Sequence, residues 1–145
     1  MRHAVRAVIV RDNKLAIMHR NKFGKEYWTL PGGAVEIGDE LVAALFREVA
    51  EELSVVIKEP QLVFTEDAGA PYGMQYVFLC EYVSGELALS PHSEEAAINK
   101  IGQNIYEPRW LSLQDLEAHP CVSKRLQAAL VEAFRSGFPS QTLQI

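Results

Sequence analysis

The segment from Glu40 to Leu53 gives the clearest helical pattern in this chain, and its two faces limit how the chain can fold. At about 100° per residue, several apolar side chains fall within one arc roughly 100° wide. They are Val42, Leu45, Phe46, Val49 and Leu53. An arc of this width predicts a helix that packs one face against a sheet. Asp39, directly after Gly38, is expected to cap the first turn.

An acidic arc adjoins the apolar one. Glu48, Glu51 and Glu52 stand at i, i+3 and i+4, so their carboxylates lie within reach of one another. Each like-charge pair should cost roughly a few tenths of a kcal/mol. Glu48 and Glu52 also border the apolar arc, so we expect them to be partly withdrawn from water. A hard divalent cation, Mg²⁺ or Mn²⁺, would offset the repulsion, because these ions prefer carboxylate oxygens.

The alternative is a solvated acidic face, neutralised in part by Arg47. The turn before the helix favours a metal site instead. A short strand from Tyr27 to Leu30 is stopped by Pro31, Gly32 and Gly33. Because glycine lets the backbone approach a ligand closely, a free carbonyl there could join the carboxylates.

The rest of the chain reads as strands, then this helix, then more strands and two helices. A hairpin is expected where Ala4 to Arg11 and Leu15 to His19 flank a polar turn. Further strands are expected at Val55 to Ile57, Leu62 to Thr65, Gln75 to Tyr82, Leu87 to Leu89 and Arg109 to Leu111, and helices at Leu113 to Ala118 and Ser123 to Arg135. Residues 90–103 are polar and predict a loop with a helical turn at most. This order indicates an α+β fold, a mixed sheet with helices packed on it.

Composition narrows the class of protein. The chain has 145 residues, 48% of them hydrophobic and 23% charged, which is typical of one globular domain spanning residues 1–145. The formal net charge is −5 and Lys and Arg do not cluster, which disfavours a long nucleic acid as partner. Neither a signal peptide nor an apolar run of about 20 residues stands out, so we expect no membrane association. With only Cys80 and Cys121, we expect no disulfide framework and a cytoplasmic setting.

One long motif resembles a known family, the Nudix hydrolases. The family pattern is Gly-x5-Glu-x7-Arg-Glu-U-x-Glu-Glu-x-Gly-U, where U is a bulky aliphatic residue. This chain has Gly33, five residues, Asp39, seven residues and then Arg47-Glu48-Val49-Ala50-Glu51-Glu52-Leu53-Ser54-Val55. Asp39 replaces the family's Glu. Its side chain is one methylene shorter, and it must still reach Arg47. Ser54 replaces the Gly that ends the helix, and because a non-Gly residue with positive φ is strained, we expect a different helix ending there.

The resemblance implies a fold, an activity and a set of site residues. The expected fold is an α/β/α sandwich, a Nudix-like mixed sheet packed between helices. The implied activity is metal-dependent hydrolysis of a pyrophosphate bond in a nucleoside diphosphate linked to another moiety, by water, with Mg²⁺ or Mn²⁺ as cofactor. Glu48, Glu51 and Glu52 would hold the metal together with the Gly33 carbonyl, and Arg47 would orient the glutamates.

The motif leaves open which carboxylate is the general base. Glu48 and Glu52 are candidates on the helix, and Glu94 and Glu95 are candidates from the polar loop, where several family members place a glutamate. Residues with a weaker claim to bind substrate are Arg20, Lys25, Glu94, Glu95 and Tyr72. For the four charged residues among them an ordinary solvated surface is the alternative.

Two classes of function therefore remain. The first is a pyrophosphohydrolase acting on a small nucleoside diphosphate derivative. The second is a catalytically inactive Nudix-fold module that binds a nucleotide or regulates. Such modules usually lose glutamates of the family motif, whereas this chain keeps all three, Glu48, Glu51 and Glu52. ADP-ribose, dinucleoside polyphosphates, nucleoside triphosphates and nucleotide sugars are equally compatible with the sequence, and a homodimer is a further expectation because many relatives pair.

Overall fold

The computed structural model describes residues 2–121 and 123–145, and a mixed sheet dominates it. The strands are β1 His3–Arg11, β2 Lys14–Lys22, β3 Lys25–Thr29, β4 Gly32–Ala34, β5 Val56–Asp67, β6 Met74–Ser84, β7 Asn104–Ser112 and β8 Leu143–Gln144. The helices are α1 Leu41–Leu53, α2 Glu94–Asn99 and α3 Lys124–Ser136, with a 3-10 turn at Leu113–Asp115.

The strand order is β3-β2-β1-β6-β5-β8, and β1 organises it. This β-branched strand runs parallel to β6 and antiparallel to β2, as the predicted hairpin requires. It also pairs with the short strand β4, with Val5 opposite Gly33 and Arg6 opposite Gly32. The glycine turn is thereby joined to the centre of the sheet. Strand β7 pairs with the edge of β2 opposite to β1.

The core lies on both faces of the sheet, which confirms the predicted sandwich. Leu45, Val49 and Leu53 of α1 pack on one face, against Val5 and Ile9 among others. On the other face, α3 packs through the buried side chains Leu126, Leu130 and Ala133. Because each helix covers one face, the sheet is shielded from water on both sides. None of the helices in the two described ranges is long and apolar enough to cross a membrane.

The buried face of α1 differs from the predicted arc. Val42 and Phe46 are about two-fifths exposed, at 40% and 41%, so the prediction that they pack on the sheet is wrong. Glu48 and Glu52 are buried in their place, alongside Ala44. The helix is turned so that its acidic edge faces the glycine turn, where polar groups can compensate for the burial of carboxylates.

Both ends of α1 also depart from expectation. Glu40, rather than Asp39, is the residue that precedes the first turn, and it makes no side-chain cap. Ser54 adopts the left-handed conformation after all, with φ 58° and ψ 26°, so the expected different ending is wrong. Its hydroxyl donates to the Ala88 carbonyl at 2.7 Å. That hydrogen bond offsets part of the strain that glycine would avoid.

Smaller differences concern the strands. The two predicted strands between Val55 and Thr65 are one strand, β5, with register shifts against β6 near residues 58–61. Residues 87–89 form no strand; they lie along the end of α1, where the Ala88 N–H donates to the Leu53 carbonyl. The predicted helix at 113–118 is a 3-10 turn, and the polar segment at 90–103 contains α2. Strands β4 and β8 were not predicted, because each is too short to give a period-two pattern.

Candidate active site

Three carboxylates from two helices meet beside the glycine turn. Glu48 and Glu52 of α1 and Glu95 of α2 each offer one oxygen, and these oxygens all lie within 4.8 Å of one another. Glu48 is 8% exposed and Glu52 is 5% exposed, while Glu95 is half-buried. We call this group the carboxylate cluster. Three acids this close need protons or a cation to offset their repulsion.

The environment disfavours negative charge on both helix carboxyls. Burial raises the pKa of Glu48 to about 7, and repulsion from Glu51 and Glu95 adds to the effect. Burial also raises the pKa of Glu52 to about 8, although the N–H of Gly32 and the charge of Arg6 act in the opposite direction. A bound cation would reverse this balance and favour the ionised form.

The glycine turn forms the floor of the cluster. The Gly32 N–H donates to Glu52 Oε2 at 3.1 Å, which supplies a polar partner for that buried side chain. A Cβ atom added to Gly33 would lie only 2.8 Å from Glu48 Cδ. Glycine at position 33 therefore leaves the space in which the Glu48 carboxylate sits.

Arg47 holds the outer side of Glu48. Its guanidinium donates to Asp39 Oδ2 at 3.1 Å, to the Ala34 carbonyl at 3.4 Å and to Glu48 Oε1 at 3.5 Å. Glu36 lies 3.5 Å from the same guanidinium. The shorter Asp39 side chain thus reaches Arg47, and the arginine links the segment before α1 to the cluster.

Arg6 is a cation beside the cluster, and the sequence motif does not include it. From β1, its Nε donates to Gln75 Oε1 at 3.1 Å and its Nη1 donates to the Leu30 carbonyl at 3.2 Å. Desolvation lowers the pKa of the Arg6 guanidinium, and attraction to Glu52 and Glu48 opposes that shift. A charged residue inside the otherwise apolar β1 run was the signal available in the sequence.

The cluster has the features that a hard divalent cation requires. Its side-chain donors are all carboxylate oxygens, the type that Mg²⁺ and Mn²⁺ prefer. Among the described residues, Glu95 Oε2 is a buried oxygen that accepts no hydrogen bond. An orphaned buried acceptor calls for an explanation, and an ion supplies one. The residues therefore fit the cofactor that the sequence suggested.

The remaining predicted residues lie outside the cluster. Glu51 is half-buried next to Glu48, and its backbone carbonyl accepts a hydrogen bond from the Ser90 N–H. Glu94 is exposed in the first turn of α2. Lys25 and Tyr72 are exposed, and within residues 2–121 and 123–145 their side chains form no hydrogen bond or ion pair. Their roles in binding stay predictions.

Arg20 is held by the sheet. Its guanidinium donates to the Ile105 carbonyl and the Asn104 side chain, and it lies 3.6 Å from the centre of the Tyr106 ring. On β3, Tyr27 stands opposite Arg20 in register. This arrangement accounts for Arg20 as a structural residue of the β2–β7 pair, and its contact with substrate stays a prediction.

A mixed sheet between two helices, with buried acids of the first helix over a glycine turn, defines the class of this protein. A family model described as the NUDIX domain matches residues 1–132, most of the chain. The chain therefore belongs to the Nudix family.

Individual relatives agree with this assignment. The NAD-capped RNA hydrolase NudC of Escherichia coli O1:K1 / APEC is 27% identical over 121 residues, which are 81% of this chain and 43% of that protein. The chain thus spans less than half the length of that relative. A NUDIX hydrolase from Nitrosomonas europaea superposes with a TM-score of 0.73 at 19% identity, over 99% of this chain and 77% of its own. An ADP-ribose pyrophosphatase from Streptococcus suis 89-1591 superposes with a TM-score of 0.65 at 21% identity, over 99% of this chain and 96% of its own. At these identities the two structures support the fold.

Proposed function

We propose that this protein is a metal-dependent pyrophosphohydrolase, which uses water to cleave a pyrophosphate bond in a nucleoside diphosphate linked to another moiety. The observation that carries the proposal is the carboxylate cluster, in which Glu48, Glu52 and Glu95 bring oxygens within 4.8 Å of one another. The names of relatives, an NAD-capped RNA hydrolase and an ADP-ribose pyrophosphatase, support the same class of substrate.

The cluster would hold Mg²⁺ or Mn²⁺ through Glu48, Glu52 and Glu95, with Glu51 and the Gly33 carbonyl as additional ligands. When bound, the cation supplies the positive charge that offsets the charge of a diphosphate and favours attack by water. These residues are proposed as one functional unit, so the loss of any buried member should weaken the whole site.

The surrounding residues fix the geometry. Arg47 holds Glu48 from the outer side, and the Gly32 N–H holds Glu52 from below. Glu95 Oε2 accepts no hydrogen bond within the described ranges, so it is available either to a cation or to the proton released by the attacking water. Arg6 remains as a fixed positive charge beside Glu52.

The test is turnover on a panel of substrates. The protein is incubated with Mg²⁺ or Mn²⁺ and with ADP-ribose, a dinucleoside polyphosphate, nucleoside triphosphates and a nucleotide sugar, and products are separated by chromatography. We expect turnover of at least one compound, with ¹⁸O from labelled water found in a phosphate product. Glu52→Gln should lower kcat by roughly 10²-fold or more. Glu132→Gln, an exposed acid on α3, is the matched control and should leave kcat unchanged.

The second class of function makes the opposite prediction. A nucleotide-binding module would bind members of the panel, measured by calorimetry, without releasing product at any metal concentration. Binding without turnover across the panel would overturn the hydrolase proposal.

A further inference from the structure

Glu95 reaches the carboxylate cluster from a helix that packing alone cannot hold in place. Helix α2 has only six residues, and none of its side chains is buried. A helix this short is marginal without tertiary support. The position of Glu95 must therefore depend on specific contacts made by α2.

One contact fixes the end of α2. Asn99 Nδ2 donates to the Tyr106 carbonyl at 2.8 Å, and Asn99 Oδ1 accepts from the Tyr106 N–H at 2.7 Å. One amide thus satisfies both backbone groups of a residue on β7. In the described sheet β7 pairs with β2 and with no other strand, so its outer edge is open to such a contact. Asn99 follows Glu95 by four residues, which places both side chains on one face of α2.

A second contact fixes the beginning of α2. The Ser93 hydroxyl accepts from the Ala96 N–H at 3.1 Å and donates to the Ser90 carbonyl at 2.7 Å. The Ser90 N–H in turn donates to the Glu51 carbonyl at 2.8 Å. The start of α2 is thereby tied to the last turn of α1, the helix that carries Glu48 and Glu52.

We propose that Asn99 is a positioning residue for the metal site, which acts by fixing α2 against β7 so that the Glu95 carboxylate lies in the cluster. Two parallel hydrogen bonds fix the orientation of α2 as well as its distance from β7. Residues that orient a metal ligand without binding the metal themselves commonly control metal affinity in this way. The inference rests on the proposed function, because that function assigns Glu95 to the cation.

The experiment measures Mn²⁺ affinity of the full chain, from the signal of free Mn²⁺ in electron paramagnetic resonance. Four proteins are compared: the wild type, Glu95→Gln, Asn99→Ala and the double variant. We expect each single variant to weaken Mn²⁺ binding about tenfold. The double variant should match Glu95→Gln within about twofold, because Asn99 acts through Glu95. If the two substitutions act independently, the double variant should bind Mn²⁺ about a hundredfold more weakly than the wild type, and that result would overturn the proposal.

A matched control separates positioning from general destabilisation. Asn21 also bonds a backbone group with its side chain, accepting from the Gly24 N–H at 3.0 Å in the turn between β2 and β3, and it makes no bond to α2 in the described residues. Asn21→Ala should leave Mn²⁺ affinity unchanged. If Asn99→Ala does not fold by circular dichroism, Asn99→Gln takes its place, since it keeps the amide but misaligns it by one methylene. Asn99→Gln should weaken Mn²⁺ binding several-fold in the otherwise wild-type protein. In the Glu95→Gln protein it should cause no further loss of affinity.

The outcomes distinguish the two proposals. If Glu95→Gln leaves Mn²⁺ affinity unchanged, the assignment of Glu95 to the cation fails and the inference fails with it. If Glu95→Gln weakens binding but the Asn99 variant does not, the inference alone is overturned. Neither result depends on which nucleotide the enzyme cleaves.

Discussion

The Glu48 carboxyl group fills the space that a side chain at position 33 would need. A Cβ built on Gly33 lies 2.8 Å from both Cδ and Oε2 of Glu48. Gly33 does not have a positive φ, so the requirement for glycine here is steric and comes from Glu48. The neighbouring Gly32 is different, because its φ is 144° and an added Cβ would lie 1.9 Å from the Val5 carbonyl oxygen.

These two glycines give a paired prediction. Gly33→Ala should displace the end of the Glu48 side chain, which can move, and so weaken Mn²⁺ binding about tenfold while Tm changes by only a few degrees. Gly32→Ala should prevent folding, because the clash is with backbone in the centre of the sheet. Calorimetric Mn²⁺ titration and thermal unfolding check both variants. A Gly33→Ala protein with wild-type affinity would contradict the proposed metal geometry.

The metal-free protein should lose stability as the pH rises. Glu48 and Glu52 have folded-state pKa values raised to about 7 and about 8 from an ordinary value of 4.5. The folded state therefore keeps protons that the unfolded state has released, and the free energy of unfolding falls as the pH rises from the unfolded value through the folded ones. Between about pH 5 and about pH 9 we expect a fall of about 2 kcal/mol or more, measured by urea denaturation in chelator.

Two comparisons test that assignment. Glu52→Gln should remove a large part of the fall, since a glutamine cannot ionise. Saturating Mg²⁺ or Mn²⁺ should restore stability at high pH, because the ion binds the deprotonated carboxylates of the folded state. A flat stability profile in chelator would show that the two carboxyls are not withdrawn from water as the structure indicates.

Arg47 should not be replaceable by lysine. The guanidinium donates to Asp39, Ala34 and Glu48 at once, whereas an ammonium group cannot span acceptors in three directions with the same geometry. We expect Arg47→Lys to weaken Mn²⁺ binding several-fold, up to about tenfold. Asp39→Glu restores the family residue but should bring no gain, because Asp39 already lies 3.1 Å from Arg47. An improvement in affinity for Asp39→Glu would show that the shorter side chain is a defect.

Ser54 offers a test of backbone strain against a hydrogen bond. Ser54→Ala keeps the positive φ and loses the bond to the Ala88 carbonyl, so it should destabilise the protein by about 1 kcal/mol. Ser54→Gly loses the same bond but relieves about 1 kcal/mol of strain, so it should stay within roughly 0.5 kcal/mol of the wild type. Urea denaturation measures both. Equal destabilisation by alanine and glycine would mean that the left-handed conformation costs nothing here.

Local patterns predicted most of the elements. The β-branched run around Val8 and the polar turn at Asp12 and Asn13 predicted the first hairpin, which is present as β1 and β2. The amphipathic period predicted α3 within one residue at each end. The spacing of Glu48 and Glu52 predicted that they would share one side of α1. These features depend on neighbours close in the chain, so the sequence carries them directly.

The helical period predicted only part of the side of α1 that becomes buried: Leu45, Val49 and Leu53 are buried as expected. Hydrophobicity alone favoured Val42 and Phe46 over Glu48 and Glu52. The carboxylates are buried because the Gly32 N–H, Arg47 and Arg6 lie around them, and two of these three groups come from other elements. A wheel drawn for one helix contains no information about such partners.

The sequence by itself determined most of the elements, the family motif and the presence of acids after a glycine turn, because each arises from one short stretch of the chain, the motif itself from residues 33–55. Only the tertiary structure decided that Glu95 joins Glu48 and Glu52, that Arg6 lies beside them, and that Asn99 fastens α2 to β7. Those contacts join residues more than forty positions apart in the first two cases, and in the third they depend on the edge that β7 leaves open. The order of the strands and the burial of both sheet faces bring such distant residues together. No local sequence pattern encodes either of them.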